Sequence, residues 1–310
     1  MRLKISAAIL LSVLTGALGQ ASAQTSATRT IKIGLLPIIN VAPIFVGQEK
    51  GFFRDEGLTI DTKTFQGGAA ITTAVISGDV DIGFSNVATQ VIAHVQGAPV
   101  RIVATNDVSS SRAIIDEIYV KANSPIKSLR ELTGKRVAIN ALRGLPDLLL
   151  RASIDTDGGD SGKVTFVEIP YPQMGQVLAA GQVDAAYPSE PFKIIVSGDG
   201  TRAVGNPRRL IEGAPYGIWV ASLSKIASDK DALVRFQRAL AKSIEYSVAN
   251  PEEVRRVASS FTRINPDVLG RMQLPAWNAS VDMPGLQNII ALMQKYEFIR
   301  KPIKAEETLM

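Results

Sequence analysis

The strongest constraint on what this chain can fold into is a unit that recurs between residues 31 and 90: a short apolar strand, a loop of small or polar residues, then a helix. Residues 31–36 read as a strand; residues 37–43, bounded by Pro37 and Pro43, break it, and helical spacing follows from about residue 44 to 53. Residues 59–65 alternate as a second strand, Gly67 and Gly68 turn the chain, and residues 69–77 form a helix closed by Gly78. Residues 80–84 make the third strand. It ends at Ser85-Asn86, where one of the two caps the helix of residues 87–96. In an open α/β sheet such loops lie at the strands' carboxyl ends, where free N–H groups of helix N-termini favour polar or anionic ligands. Asn40, Gly67, Gly68, Ser85 and Asn86 therefore mark one edge as a binding surface. Taken singly each is an ordinary turn or cap residue; their recurrence in successive units is what points to a site.

The pattern then repeats at larger scale. The helix-Gly-strand run ISGDVDIGF, with Gly78, is echoed by LAAGQVDAAY, with Gly181, 103 residues later, and IKIGLLP is echoed by RVAINALRG from Arg136. The second unit reads as strand 136–140, loop 141–146, a helix to about 154, strand 163–169, helix 174–180, strand 183–187 and loop 188–191. Two extended segments, 116–122 and 216–222, read as paired crossing strands near a hinge. This implies an α/β protein of two lobes, residues 30–121 with 215–310 and residues 122–214, the first lobe being discontinuous. After the return, Leu233, Phe236, Leu240, Ile244 and Val248 fall at helical spacing on an amphipathic helix. Further helices open at Pro251 and Pro266 and span 286–296. The polar tail from Lys301 is expected to be loose.

Residues 1–23 carry a basic tip (Arg2, Lys4), an apolar run over 5–18 and a small-residue site at Ala21-Ser22-Ala23, the pattern of a cleaved secretory signal. The apolar run is too short for a span, and no later stretch approaches the roughly 20 apolar residues a membrane span requires. With no cysteine in the chain, neither lipidation at a lipobox nor a disulfide is available. Free solution in the periplasm is expected. Cleavage would remove Arg2 and Lys4 and lower the formal charge from +5 to +3. The remaining Lys and Arg are scattered, which argues against a nucleic-acid partner.

Catalytic signatures are missing from the sequence. His94 is the only histidine and lies inside a predicted helix; without cysteine, metal clusters and Cys-His catalysis drop out. There is no GxSxG, P-loop or GxGxxG. Neither enzymatic activity, nor a cofactor, nor a metal is expected. Arg143, in the loop NALRGLPD with Asn140 and Gly144, precedes a helix N-terminus; it either shares an anion with that terminus or pairs with Asp147 on the surface. Tyr216 is placed at the cleft and Trp219 in the core, while Trp277 fits either.

The segments AxxxxGQEKGFFRDEGL (Ala42 to Leu58), the GG-then-helix at Gly67, SGDVDIGFSN, SLRELTGKRVAI and AAGQVDAAYPSEPF occur in an order that resembles the substrate-binding proteins of nitrate, taurine and alkanesulfonate ABC transporters, which share a fold with thiamine-precursor binding proteins. The resemblance covers residues 31–277. It implies a type II periplasmic binding fold, each lobe a sheet flanked by helices with the ligand cleft between them, and a monomer that delivers a small molecule to an inner-membrane permease. It also puts Glu190 of YPSEPF at or beside the pocket, either pairing with a ligand amine or bracing the turn of Pro188 and Pro191 or the hinge. One eukaryotic branch makes a pyrimidine by consuming its own histidine and needs a cysteine-rich segment that this chain lacks. Helix N-termini and a mildly basic mature chain favour a small organic anion, sulfonate or carboxylate-like. The alternatives are a pyrimidine or other heteroaromatic ligand, or an exported sensor.

Overall fold

The computed structural model of the protein describes residues 28–198 and 200–310; the signal read at residues 1–23 lies outside them. The chain begins with β1 (Arg29–Leu35), α1 (Ala42–Lys50), α2 (Phe52–Asp55), β2 (Leu58–Thr64), α3 (Gly68–Ser77), β3 (Ile82–Asn86), α4 (Val87–Val95) and β4 (Val100–Val108). It continues through β5 (Ile118–Lys121), β6 (Arg136–Ile139), α5 (Leu145–Thr156), β7 (Thr165–Glu168), α6 (Met174–Ala179), β8 (Ala185–Ala186), α7 (Phe192–Val196) and β9 (Thr201–Gly205). It then returns along β10 (Pro215–Ser222) to α8 (Leu223–Ser228), α9 (Lys230–Ala249), α10 (Pro251–Thr262), α11 (Pro266–Leu269), β11 (Ala276–Trp277) and α12 (Met283–Lys295).

Two mixed sheets result, each flanked by helices. The first runs β11-β4-β10-β3-β1-β2 and the second β7-β6-β8-β5-β9. The repeated strand-loop-helix units supply the parallel parts, with β1 between β2 and β3, and β6 between β7 and β8. Strand alternation sorts side chains between faces. In β6, Val137 and Ile139 enter one core and Ala138 the other; in β5, Ile118 and Val120 oppose Tyr119 in the same way.

The two segments expected to pair as crossing strands do not pair with each other. β10 is central in the first sheet, between β3 and β4, and β5 is central in the second, between β8 and β9. Apolar alternation marks a buried strand but does not name its partner. The connections between sheets are residues 109–117 and 206–214, joined where Ser109 N–H donates to Ala214 O (2.9 Å) and Gly213 N–H to Ser109 O (2.8 Å). Residues 118–121, assigned from sequence to the first lobe, thus belong to the second sheet.

β4 escapes the sequence reading because its second half carries Thr-Asn-Asp. Asn106 is nevertheless fully buried, accepting from Trp219 Nε1 (3.0 Å) and donating to Asn40 O (2.9 Å). On α9, Leu233, Phe236, Leu240 and Ile244 are buried as expected, but Val248 is exposed. The buried stripe passes through Ser243 and Ser247, small residues that let α1 approach: a Cβ on Gly47 would lie 2.1 Å from Ser243 Oγ. The tail from Lys301 is docked rather than loose. Leu309 bridges to Ile102 beside β4, Met310 N–H donates to Ile102 O (3.0 Å), and Thr308 is buried.

What seats α3 on the first sheet is a pair of glycines in register, Gly34 on β1 and Gly83 on β3. A Cβ on Gly83 would fall 2.5 Å from Ile71 Cγ2 and 2.8 Å from Val75 Cγ2 of α3. Their absence of side chains brings α3 down onto the strands and fixes where its N-terminus opens. Gly83→Ala should overpack this contact and destabilise the protein by about 1–3 kcal/mol. Urea unfolding measures this, and an unchanged midpoint would show that α3 is free to lift.

Candidate ligand-binding site

A cleft separates the lobes, and its outer chamber has a volume of about 610 Å³. Gly67 and Gly68 at the start of α3 line it from the first lobe; Asn140, Arg143 and Glu168 line it from the second. A tighter inner chamber of about 30 Å³ shares Gly68 and Asn140 and is walled by Asn40, Ser85, Asn86, Asp116, Arg208 and Tyr216. Eight of the residues picked from sequence, Asn40, Gly67, Gly68, Ser85, Asn86, Asn140, Arg143 and Tyr216, are thus gathered on the two chambers.

Their roles differ from one another. Asn86, rather than Ser85, caps α4: its Oδ1 accepts from Thr89 N–H (3.0 Å) and also, across the cleft, from Leu145 N–H at the start of α5 (3.0 Å). One side chain therefore serves two helix N-termini on opposite lobes. Gly144 packs against it, an added Cβ lying 3.6 Å from Asn86 Nδ2. By contrast α3 begins at Gly67 with no side-chain cap, and its first turn faces the outer chamber. Unpaired N–H groups and the positive end of the helix dipole make that turn the anion-attracting feature of the cleft.

Arg143 follows neither expected course. Its guanidinium donates to Glu297 O (3.2 Å) and Phe298 O (2.6 Å) just beyond α12 and lies 5.0 Å from the Phe298 ring. Asp147 accepts from the Arg143 backbone N–H (2.8 Å), while its carboxylate pairs with Arg151 (2.7 Å). A cation against terminal carbonyls is well placed electrostatically, and here it ties the second lobe to the first. Asn140 Nδ2 adds a longer link to Gln66 O (3.4 Å).

Glu190 lines neither chamber. It is fully buried at the hinge, where its carboxylate accepts from Ile194 N–H (3.0 Å) and Gln273 N–H (3.3 Å), with Lys193 Nζ at 3.6 Å; its backbone carbonyl accepts from Ile39 N–H (3.1 Å). This is the bracing role. Trp277 is resolved as structural too, its Nε1 donating to Asn40 O (2.8 Å). Trp219 is fully buried in the core.

The back wall was not found from sequence. Arg208 is buried with its Nε 2.8 Å from Asp116 Oδ2 and Nη1 3.5 Å from Asp107 Oδ2, and its guanidinium stacks 3.4 Å from the Tyr216 ring centre. Burial pushes the Asp116 carboxyl above its usual range, against the pull of Arg208. Asn40 Oδ1, Ser85 Oγ and Asp116 Oδ1 have no hydrogen-bond partner in the protein. Among the described residues no group of three or more His, Asp or Glu side chains could hold a metal, and no helix is long and apolar enough to cross a membrane.

A family model described as NMT1/THI5 like matches residues 38–254. The chain belongs to this family. Among NMT1/THI5-like relatives, the taurine-binding periplasmic protein of Escherichia coli is 25% identical over 203 residues, 65% of this chain and 61% of that protein. A 4-amino-5-hydroxymethyl-2-methylpyrimidine phosphate synthase of Aspergillus parasiticus is 22% identical over 228 residues, 68% of this chain and 64% of that protein. The chain thus spans less than two thirds of either relative. The solved alkanesulfonate-binding protein SsuA of Xanthomonas axonopodis pv. citri, bound to MOPS, superposes with a TM-score of 0.77 at 17% identity, covering 91% of this chain and 98% of that one. This likeness shows the periplasmic binding protein fold, two sheets flanked by helices.

Two consequences of the family's two-lobed geometry are measurable. Arg143→Ala should weaken anionic and neutral ligands alike, by about tenfold, because it loosens the closed cleft through a lost charge-assisted bond. Calorimetry in which only anions suffer would return Arg143 to direct contact. Burial also pushes the Glu190 carboxyl from its ordinary 4.5 to about 7. The folded protein then keeps a proton that the unfolded chain releases near 4.5, so this contribution to stability is complete at low pH and is lost as pH rises through about 7. Between those values the wild type should lose roughly 3 kcal/mol relative to Glu190→Gln. Parallel pH profiles in urea unfolding would refute the assignment.

Proposed function

We propose that the protein is the exported receptor of an ABC importer, which closes its lobes over a small organic anion, sulfonate or carboxylate-like, and delivers it to an inner-membrane permease. No covalent step is involved, and the receptor acts as a monomer. The observation that carries this reading is the uncapped first turn of α3, opening into a chamber of about 610 Å³ whose other helix N-termini are already served by Asn86. A ligand touching α3 and the loop at Asn140 contacts both lobes, and only such a ligand shifts the equilibrium toward closure. The relatives that bind taurine and alkanesulfonate support the ligand class. The heteroaromatic alternative is disfavoured at Tyr216, because Arg208 already covers a face of the ring on which a flat ligand would stack.

Gly67→Asp separates this proposal from its rivals. A Cβ at Gly67 meets nothing within 4 Å, and its extended backbone suits any residue. Aspartate is a favoured N-cap, so the variant should match or slightly exceed the wild type in ligand-free stability, by a few tenths of a kcal/mol (~0.3). It should also place a carboxylate where the ligand anion sits and weaken binding at least about tenfold. Calorimetry against alkanesulfonates and carboxylates of two to four carbons tests this. Undiminished binding by Gly67→Asp, or binding of neutral heteroaromatics in preference to every anion, would contradict the proposal.

A further inference from the structure

Resting on the receptor reading, we propose that Glu168 is a specificity-determining residue that limits the ligand to a single negative charge, so that dianions such as dicarboxylates are excluded from the cleft. Glu168 ends β7 and is exposed in the second-lobe wall of the outer chamber, which the uncapped turn of α3 lines from the first lobe. Its Oε2 accepts from Leu142 N–H (3.0 Å), which fixes the carboxylate in the wall and leaves Oε1 open to the chamber. Among the described residues no Lys or Arg pairs with it. It is the one acidic side chain on the outer chamber.

The cleft offers negative charge one place and no second. Two guanidiniums reach its chambers and both are engaged, Arg143 with Glu297 O and Phe298 O, Arg208 with Asp116 and Asp107. Asn140 Nδ2, the other side-chain donor on the second-lobe wall of the outer chamber, is given to Gln66 O (3.4 Å). The first turn of α3 is therefore the anion position, and a ligand that bridges the lobes from there lays its far end against a wall whose donors are spent and whose open group is an acceptor. A second carboxylate or sulfonate at that end meets Glu168 with like charge, and the ligand displaces the water that would screen the two. An N–H or O–H at the same position donates to Oε1 instead. Rejection of the wrong ligand by repulsion needs no added attraction for the right one.

The test is calorimetry at neutral pH with three probes: propane-1-sulfonate, 3-sulfopropanamide and 3-sulfopropanoate. The last two have the same size and shape and differ in ending in an amide or an ionised carboxylate. The amide should bind at least as tightly as propane-1-sulfonate, and the carboxylate at least about tenfold more weakly than the amide. Glu168→Gln keeps an oxygen for Leu142 N–H while removing the charge, and it should narrow or reverse the ratio of amide to carboxylate affinity. Added salt should narrow the same ratio in the wild type but not in the variant, which keeps the test open if Glu168→Gln does not fold in circular dichroism melts. Equal affinity for amide and carboxylate in the wild type, with propane-1-sulfonate bound, would overturn the charge limit and leave the anion receptor standing. A ratio that Glu168→Gln leaves unmoved would overturn the role of Glu168. Binding of none of the three would overturn the receptor reading and this inference together.

Discussion

One buried guanidinium holds together the region on which everything else depends. Arg208 lies on the returning crossing segment, bonds Asp116 on the outgoing one, approaches Asp107 at the end of β4 and covers Tyr216 on β10. Its own carbonyl accepts from Ser109 Oγ (2.9 Å), where the outgoing segment leaves β4. Two connections and two strands of the first sheet therefore meet on one side chain. Such a cluster adds little stability over an apolar replacement, but removing one partner strands the others as buried charges at a cost of about 3–5 kcal/mol. Its value lies in fixing geometry: the two crossing segments are joined at a defined point, which forms the inner wall of the cleft.

Closure is a balance struck at the cleft itself. Leu145, Leu148 and Leu149 of α5 pack into the core of the first lobe, and Asn86, Asn140 and Arg143 bridge the mouth. Against these stand the acceptors without partners in the inner chamber and the uncapped turn of α3, groups that an open cleft would return to water. A ligand that completes them removes the opposing cost and leaves the bridging contacts to act. In the proposed receptor, recognition and closure are thus the same event seen from two sets of residues.

How much of this was legible in the sequence follows from range. Gly67, Gly68 and Gly78 act within their own strand-loop-helix units, so their spacing revealed the parallel strands and the α3 turn; Ser85-Asn86 marked the α4 cap in the same way, but the second bond of Asn86, to Leu145, crosses to the other lobe and left no local sign. Arg143 lines the outer chamber and Glu190 lines neither, and their partners, Phe298 and Gln273, lie far along the chain and cannot be read from local pattern. Arg208 was missed because NPRRL looks like an exposed basic loop; its neighbour Arg209 is exposed, and nothing local distinguishes the two. Asp116 was visible only as the polar start of a strand. A buried ion cluster assembled from residues about a hundred positions apart leaves no periodic trace.

The account's central claim is that a ligand bridging α3 and the loop at Asn140 closes the two lobes about the crossing segments. Small-angle X-ray scattering, with and without the organic anion that binds most tightly in calorimetry, tests it most directly. The account predicts a smaller radius of gyration and a narrower distance distribution at saturation. Identical scattering curves with binding confirmed in the same sample would contradict it.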